Sequence, residues 1–193
     1  MAPSKLNFKV YQGSTFSETL RWESATKVYV PITNITKTAP MVVIATDHGV
    51  PPNWRTKISG VQGMKEANTA DYVLVTGVTP NTLTYNSVNA LNYTAYTSGG
   101  VLEYNQPVDL SQYTARMQIR EKVSSATVIK ELTSSAGDIV IDNTAKTITL
   151  KISAADTAQF VFKSAVYSLE LVNADVVVPF IYGNLTLEVE VTR

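Results

Sequence analysis

Residues 165–193 read AVYSLELVNADVVVPFIYGNLTLEVEVTR and carry the clearest alternation in the chain. Tyr167, Leu169 and Leu171 alternate with Ser168 and Glu170, and Leu185, Leu187, Val189 and Val191 alternate with Thr186, Glu188, Glu190 and Thr192. A period of two puts apolar side chains on one face of a strand and polar ones on the other. Each run is therefore expected to form a half-buried antiparallel strand. Asn173, Ala174 and Asp175 are expected to turn the chain into 176–181, and Gly183 with Asn184 to turn it again, giving a meander with one wet face.

The same pattern recurs from the start of the chain. Leu6, Phe8 and Val10 share one parity; after Gly13, so do Phe16, Leu20 and Trp22, with Thr19 and Arg21 opposite, and together the two runs predict an opening hairpin. Val28–Val30 and Pro31 lead out of it. From about Thr33 to Tyr104 the chain is richer in Gly, Asn, Thr and Pro, with short strand candidates at 41–45, 55–58, 72–76 and 82–85. Asp47-His48-Gly49 with Pro51-Pro52, Gly60 to Gly63, and Ser98-Gly99-Gly100 are read as the turns between them. Thr114 to Arg120 alternates Ala115, Met117 and Ile119 inward with Arg116, Gln118 and Arg120 outward, and 128–132, 139–141 and 147–152 continue the series. Ser153 with Asp156 three residues on predicts a capped short helix through Ala154, Ala155, Ala158 and Gln159, just before Phe160 to Phe162.

The fold class expected is all-β: an antiparallel β-sandwich from residues 1–32 and 105–193, with a small β-barrel inserted at 33–104 and one short helix. The ends of the insert lie between segments that look like strands of one larger domain, the pattern of an insertion into a surface loop.

Composition narrows the function classes. A 193-residue chain with 45% hydrophobic content can bury a core. Sixteen basic and sixteen acidic residues cancel, which argues against a general attraction to nucleic acid or to an anionic membrane. With no cysteine and one histidine, disulfides, thiolate nucleophiles, thiolate zinc sites and multi-histidine cages are excluded, so no metal and no cofactor is expected. Residues 1–10 lack the apolar core of a signal peptide, and no apolar run approaches the roughly 20 residues of a membrane span. A soluble chain made in a cytoplasm is the expectation.

Candidate chemistry is sparse. His48 beside Asp47 would suit a general base with an orienting carboxylate, but adjacent residues rarely point at each other, and His-Gly between strands is turn chemistry. Glu188 and Glu190 share a strand face at a spacing that would suit paired carboxylates; a solvated or subunit-facing strand surface explains them as well. Gly60, Gly63, Gly99 and Gly100 have no Gly-Lys-Ser/Thr and no following helix, so they form no phosphate loop. No catalytic residue is assigned. Tyr85, Tyr93, Tyr96 and Tyr104 are the densest aromatic group and the candidate ligand platform, for a sugar or a stacked base.

Taken together, QGSTF at Gln12–Phe16, PVDLSQYTARMQIR at Pro107–Arg120, ITLKISAADTAQF at Ile148–Phe160, AVYSLELV at Ala165–Val172 and GNLTLEVEVTR at Gly183–Arg193 resemble the N-terminal β-sandwich of bacteriophage baseplate upper proteins. The inserted part, with TDHGVPP at Thr46–Pro52, ISGVQGMKEAN at Ile58–Asn68 and YTSGG at Tyr96–Gly100, resembles phage versions of the FCCH-like β-barrel; Val50 stands where members often carry Leu. The barrel's name implies no ubiquitin chemistry, because the catalytic cysteine of ubiquitin-activating enzymes lies in other domains. The resemblance implies a non-enzymatic virion component, assembled in the host cytoplasm and docking on other virion proteins of neck, tail or baseplate as a homo-oligomeric ring or in repeated copies. The alternatives are a capsid decoration protein and a host-glycan-binding module using the inserted barrel. Strand edges, the polar face around Glu188 and Glu190, and the terminal Val191-Thr192-Arg193 are the candidate interface, by strand addition or side-chain pairing.

Overall fold

Alternation becomes pleated sheet almost wherever it occurs: in the computed structural model, which describes residues 2–190, 52% of residues are strand and 4% helical, and the chain is all-β. The first strands are β1 (Ser4–Lys5), β2 (Phe8–Tyr11), β3 (Phe16–Arg21), β4 (Glu23–Pro31), β5 (Asn34–Ile35) and β6 (Met41–Ile44). Next come β7 (Trp54–Gln62), a 3-10 turn at Lys65–Ala67, β8 (Val73–Val75), β9 (Gly77–Val78), β10 (Thr82–Tyr85) and β11 (Ser98–Pro107). The series ends with β12 (Thr114–Arg120), β13 (Lys130–Thr133), β14 (Ile139–Asp142), β15 (Thr147–Ile152), the helix α1 (Ala154–Ala158), β16 (Ser164–Asn173) and β17 (Val176–Glu188). No helix among the described residues is long and apolar enough to cross a membrane.

The chain divides into two compact units, one of residues 1–21 with 109–193 and one of residues 22–108. These bounds differ from the 33 and 104 expected from texture alone. β4 pairs antiparallel with β11 from Val101↔Pro31 to Pro107↔Glu23, so residues 23–31 belong to the second unit. The same pairing brings that unit's ends together, with the Val108 N–H donating to the Trp22 carbonyl at 3.1 Å.

In the first unit, a six-stranded sheet runs β1-β17-β16-β12-β13, with β2 also on β17, and a three-stranded sheet runs β14-β15-β3. β12 and β16 pair Ala115↔Leu171, Met117↔Leu169 and Ile119↔Tyr167, all buried, which puts the intervening Arg116, Gln118 and Arg120 on the other face. Each fully buried Leu or Ile there contributes roughly 1.5–3 kcal/mol relative to exposure. The predicted opening hairpin is corrected: β2 runs parallel to β17 (Phe8↔Leu185, Val10↔Leu187), and β3 pairs with β15. What joins β2 to β3 is ring packing, Phe8 meeting Phe16 edge-on at 5.4 Å while stacking on Tyr167 at 5.1 Å.

The turn expected at Gly183-Asn184 is also corrected, because β17 runs straight through it for 13 residues against β16. Gly183 is glycine for another reason. A Cβ there would lie 1.9 Å from the carbonyl oxygen of Leu6, where the chain crosses from β1 to β2. The expected helix forms: Ser153 Oγ accepts the Asp156 N–H at 3.1 Å and donates to its carboxylate at 2.7 Å, closing the cap.

In the second unit the sheets run β5-β6-β10-β9 and β4-β11-β7-β8, around a core that includes Trp54, Ile58, Met64, Leu83, Tyr85 and Leu102. The glycines read as turns at 60 and at 99–100 lie inside β7 and β11 instead. Gly99 pairs with Val61 and Val101 with Ser59, so the register runs through unbroken and Gly60 and Gly100 stand between those pairs at φ +75° and +98°, backbone angles that only glycine adopts cheaply.

Candidate functional site

The outer face of the six-stranded sheet gathers side chains from four strands of the first unit. Antiparallel and parallel registers place Gln118, Ser168, Tyr182 and Lys5 in one cross-strand row, and Arg120, Val166 and Asn184 in the next. Between these rows runs a shallow groove of about 420 Å³, with the small Ser168 on its floor and Val123 also in its lining. Val123 is 88% exposed and Tyr182 43%, so both offer apolar surface to a partner.

Arg120 shapes the rim. Its Nη1 donates to the carbonyls of Ser125 at 2.6 Å and Ala126 at 2.9 Å, and its Nη2 donates to Gln118 Oε1 at 2.7 Å. These hydrogen bonds pin the segment that carries Val123, and all go to neutral oxygens, so the guanidinium charge is met by dipoles and, among the described residues, by no carboxylate. Beneath, buried Tyr167 donates its hydroxyl to the Leu6 carbonyl at 2.7 Å, and burial pushes its phenol well above the ordinary range. A neighbouring depression of about 350 Å³ has the opposite balance: Arg116 is paired with Glu170 at 2.8 Å, and Glu131 accepts from Gln118 Nε2 at 2.7 Å.

The residues singled out by sequence are placed as follows. Glu188 lies on this outer face and pairs with Lys9 at 3.1 Å, where its carboxylate raises the lysine pKa by hydrogen bonding and charge. Glu190 lies past the end of β17, its carboxylate beside Gly13, so the two glutamates are not presented as a pair. Val191, Thr192 and Arg193 lie outside the described residues. For strand addition β17 offers no free edge at 181–182 or 185–188, where β16 lies on one side and β1 or β2 on the other.

The four tyrosines of the proposed platform do not form one. Tyr85 and Tyr104 occupy the core-facing parity of β10 and β11 and are 0% and 4% exposed. Tyr85 shares a hydrogen bond with Thr56 Oγ1 at 2.6 Å, and Tyr104 donates to the His48 carbonyl at 2.6 Å. Tyr93 and Tyr96 are half-buried against the same core, and the Tyr96 hydroxyl donates to the Gly99 carbonyl at 2.9 Å. His48 is buried too. Its Nδ1 accepts the Val50 N–H at 3.0 Å, and desolvation holds its pKa below the ordinary value, so the ring braces the loop from Asp47 to Pro52 as turn chemistry implies.

Lys5, Arg120, Val123 and Tyr182 were not reachable as a site by sequence reasoning. Their signal was that Arg120 and Tyr182 sit on the polar parity of alternating strands; what unites them is strand register. Among the described residues, no three His, Cys, Asp or Glu side chains are placed to hold a metal ion. No protein-family model matches this chain, and no curated protein matches it either.

Proposed function

We propose that the chain is a non-enzymatic structural component of a bacteriophage virion. Its first unit, read as a β-sandwich, docks on neighbouring virion proteins, and its second, read as a small inserted barrel, is carried as a separate module. The observation that carries this reading is the broad outer face of the six-stranded sheet, where paired charges, amides and an exposed tyrosine spread over several strands without converging on one reacting centre. Surfaces of that kind bind by area and complementarity. Repeated copies closing head to tail give a ring, the arrangement we propose for neck, tail or baseplate. Capsid decoration uses the same surface.

A host-glycan role for the second unit has less support, since Tyr85 and Tyr104 are core residues. The test is quantitative mass spectrometry of purified particles of the phage that encodes the chain, with a whole-particle density map for position. The chain is expected at stoichiometric, symmetric copy number, and Glu190→Gln is expected to incorporate normally. Its absence from particles overturns the proposal; particles that incorporate Glu190→Gln yet lose infectivity overturn the non-enzymatic part.

A further inference from the structure

The groove on the outer sheet face has a lopsided charge. Among its lining residues Lys5 and Arg120 are cationic and none is acidic. Lys5 has no ion-pair partner among the described residues, and Arg120 spends its donors on carbonyl and amide oxygens. Glu131 and Glu170 belong to the adjoining depression, where Gln118 and Arg116 hold them. Two cations therefore face the groove without carboxylate partners among the described residues. Between them lie the apolar surfaces of Tyr182, Val166 and Val123.

We propose that this groove binds an extended acidic peptide segment, with carboxylates at positions i and i+4 and an apolar side chain at i+2. The spacing follows from the sheet. Lys5 on β1 and Arg120 on β12 stand three strand spacings apart, with a two-residue offset along the strands, roughly 15 Å between backbones. Four residues of extended chain cover about 13–14 Å, and the flexible lysine stem makes up the difference. In an extended chain residues i, i+2 and i+4 share one face, so both acids and the apolar residue reach the groove together. The acids meet Lys5 and Arg120, and the apolar side chain meets Tyr182 and Val166. A carboxylate at the Arg120 end takes the one Nη2 N–H that the bonds to Ser125, Ala126 and Gln118 leave, and adds the charge that the neutral oxygens do not supply. Glu131 repels it from the β13 side.

The groove chemistry stands alone, whereas naming the peptide's owner as another virion protein rests on the function proposed above. The experiment is selection of a random nine-residue peptide display library on the full chain, followed by fluorescence anisotropy of the enriched peptides at low and high salt. Enrichment of acidic residues four apart with an apolar residue midway is expected. Lys5→Glu and Tyr182→Ala, both changes to exposed side chains, are each expected to weaken binding at least ten-fold, and Glu131→Gln to tighten it.

Circular dichroism of each variant confirms the fold. Neutral or basic peptides, no enrichment, or equal binding to Lys5→Glu overturns the proposal. Lys5-dependent binding of oligogalacturonate with no peptide enrichment also overturns it and gives the groove to an acidic glycan. None of these outcomes depends on the chain being a virion protein, so the two readings fail separately.

Discussion

Gly183→Ala is expected to be costly although alanine suits a strand better than glycine does. The added Cβ would sit 1.9 Å from the Leu6 oxygen and 2.7 Å from its carbon, both backbone atoms. Reaching even a 3.0 Å contact requires the Leu6 carbonyl to retreat by 3.0 − 1.9 = 1.1 Å. That carbonyl accepts the Tyr167 hydroxyl at 2.7 Å, the Leu6 N–H donates to Tyr182 at 2.9 Å, and Asn7 Oδ1 accepts the Asn184 N–H at 3.0 Å. A shift of that size takes these hydrogen bonds beyond useful length. At about 0.5–1.5 kcal/mol each, with more for a buried hydroxyl left unpaired, the loss is about 3 kcal/mol. Such a loss is a sizeable fraction of a typical domain stability of about 5–15 kcal/mol. Urea unfolding followed by far-UV circular dichroism measures it, with Tyr167→Phe as the comparison, since that change removes one hydrogen bond and costs about 1 kcal/mol. If Gly183→Ala unfolds within about 0.5 kcal/mol of the parent, or costs less than Tyr167→Phe, the close crossing of Leu6 over β17 is not what glycine serves there.

Leu187→Asp is expected to lower stability by about 3 kcal/mol or more, since the carboxylate would be buried without a partner, while Glu188→Ala leaves the denaturant midpoint nearly unchanged; equal losses contradict the assigned faces of β17. Replacing 23–107 with a short Gly/Ser linker should leave the first unit folded, because Trp22 and Val108 are already hydrogen-bonded neighbours; a molten product by near-UV circular dichroism and hydrogen exchange refutes the division. His48 has a folded pKa below its unfolded value, so the unfolded chain binds the extra proton: its contribution is complete above about pH 6.5 and falls as pH drops below that. Both tryptophans, Trp22 and Trp54, lie in the second unit, so thermal unfolding read by tryptophan fluorescence reports that unit. Its midpoint should fall with acid, more steeply than in His48→Gln; parallel curves exclude the effect.

Where one face of a strand is buried, local alternation suffices to read it. Thr82–Tyr85, Thr114–Arg120 and Thr147–Ile152 are legible to the residue, and so is the Ser153 cap, because each rests on side chains within a few positions of one another. Glycine is where local reading fails. Gly183 and Gly100 serve close approach and Gly60 a positive φ inside a strand, and that depends on which strand lies alongside. The candidate site fails for the same reason: Lys5, Arg120, Tyr182 and Val166 come from four strands, and only register makes them neighbours. The tyrosines show the complementary error. Density along the chain grouped Tyr85 and Tyr104 as a surface, whereas strand parity sends both into the core.

The parallel placement of β1 and β2 on β17 has a consequence in time. Asn7 and Asn184 are 177 positions apart and hydrogen-bonded, whereas residues 22–108 find their sheet partners among themselves. Loop closure over such a span is slow relative to pairing of near neighbours, so the second unit is expected to be complete while the first still lacks an edge. During that interval Phe8 and Val10 have no core to enter, and the Leu185–Glu188 side of β17 is an open template for any other strand. Off-pathway association, if it occurs, should therefore start there, and a short peptide copying Phe8–Tyr11 should suppress it during refolding.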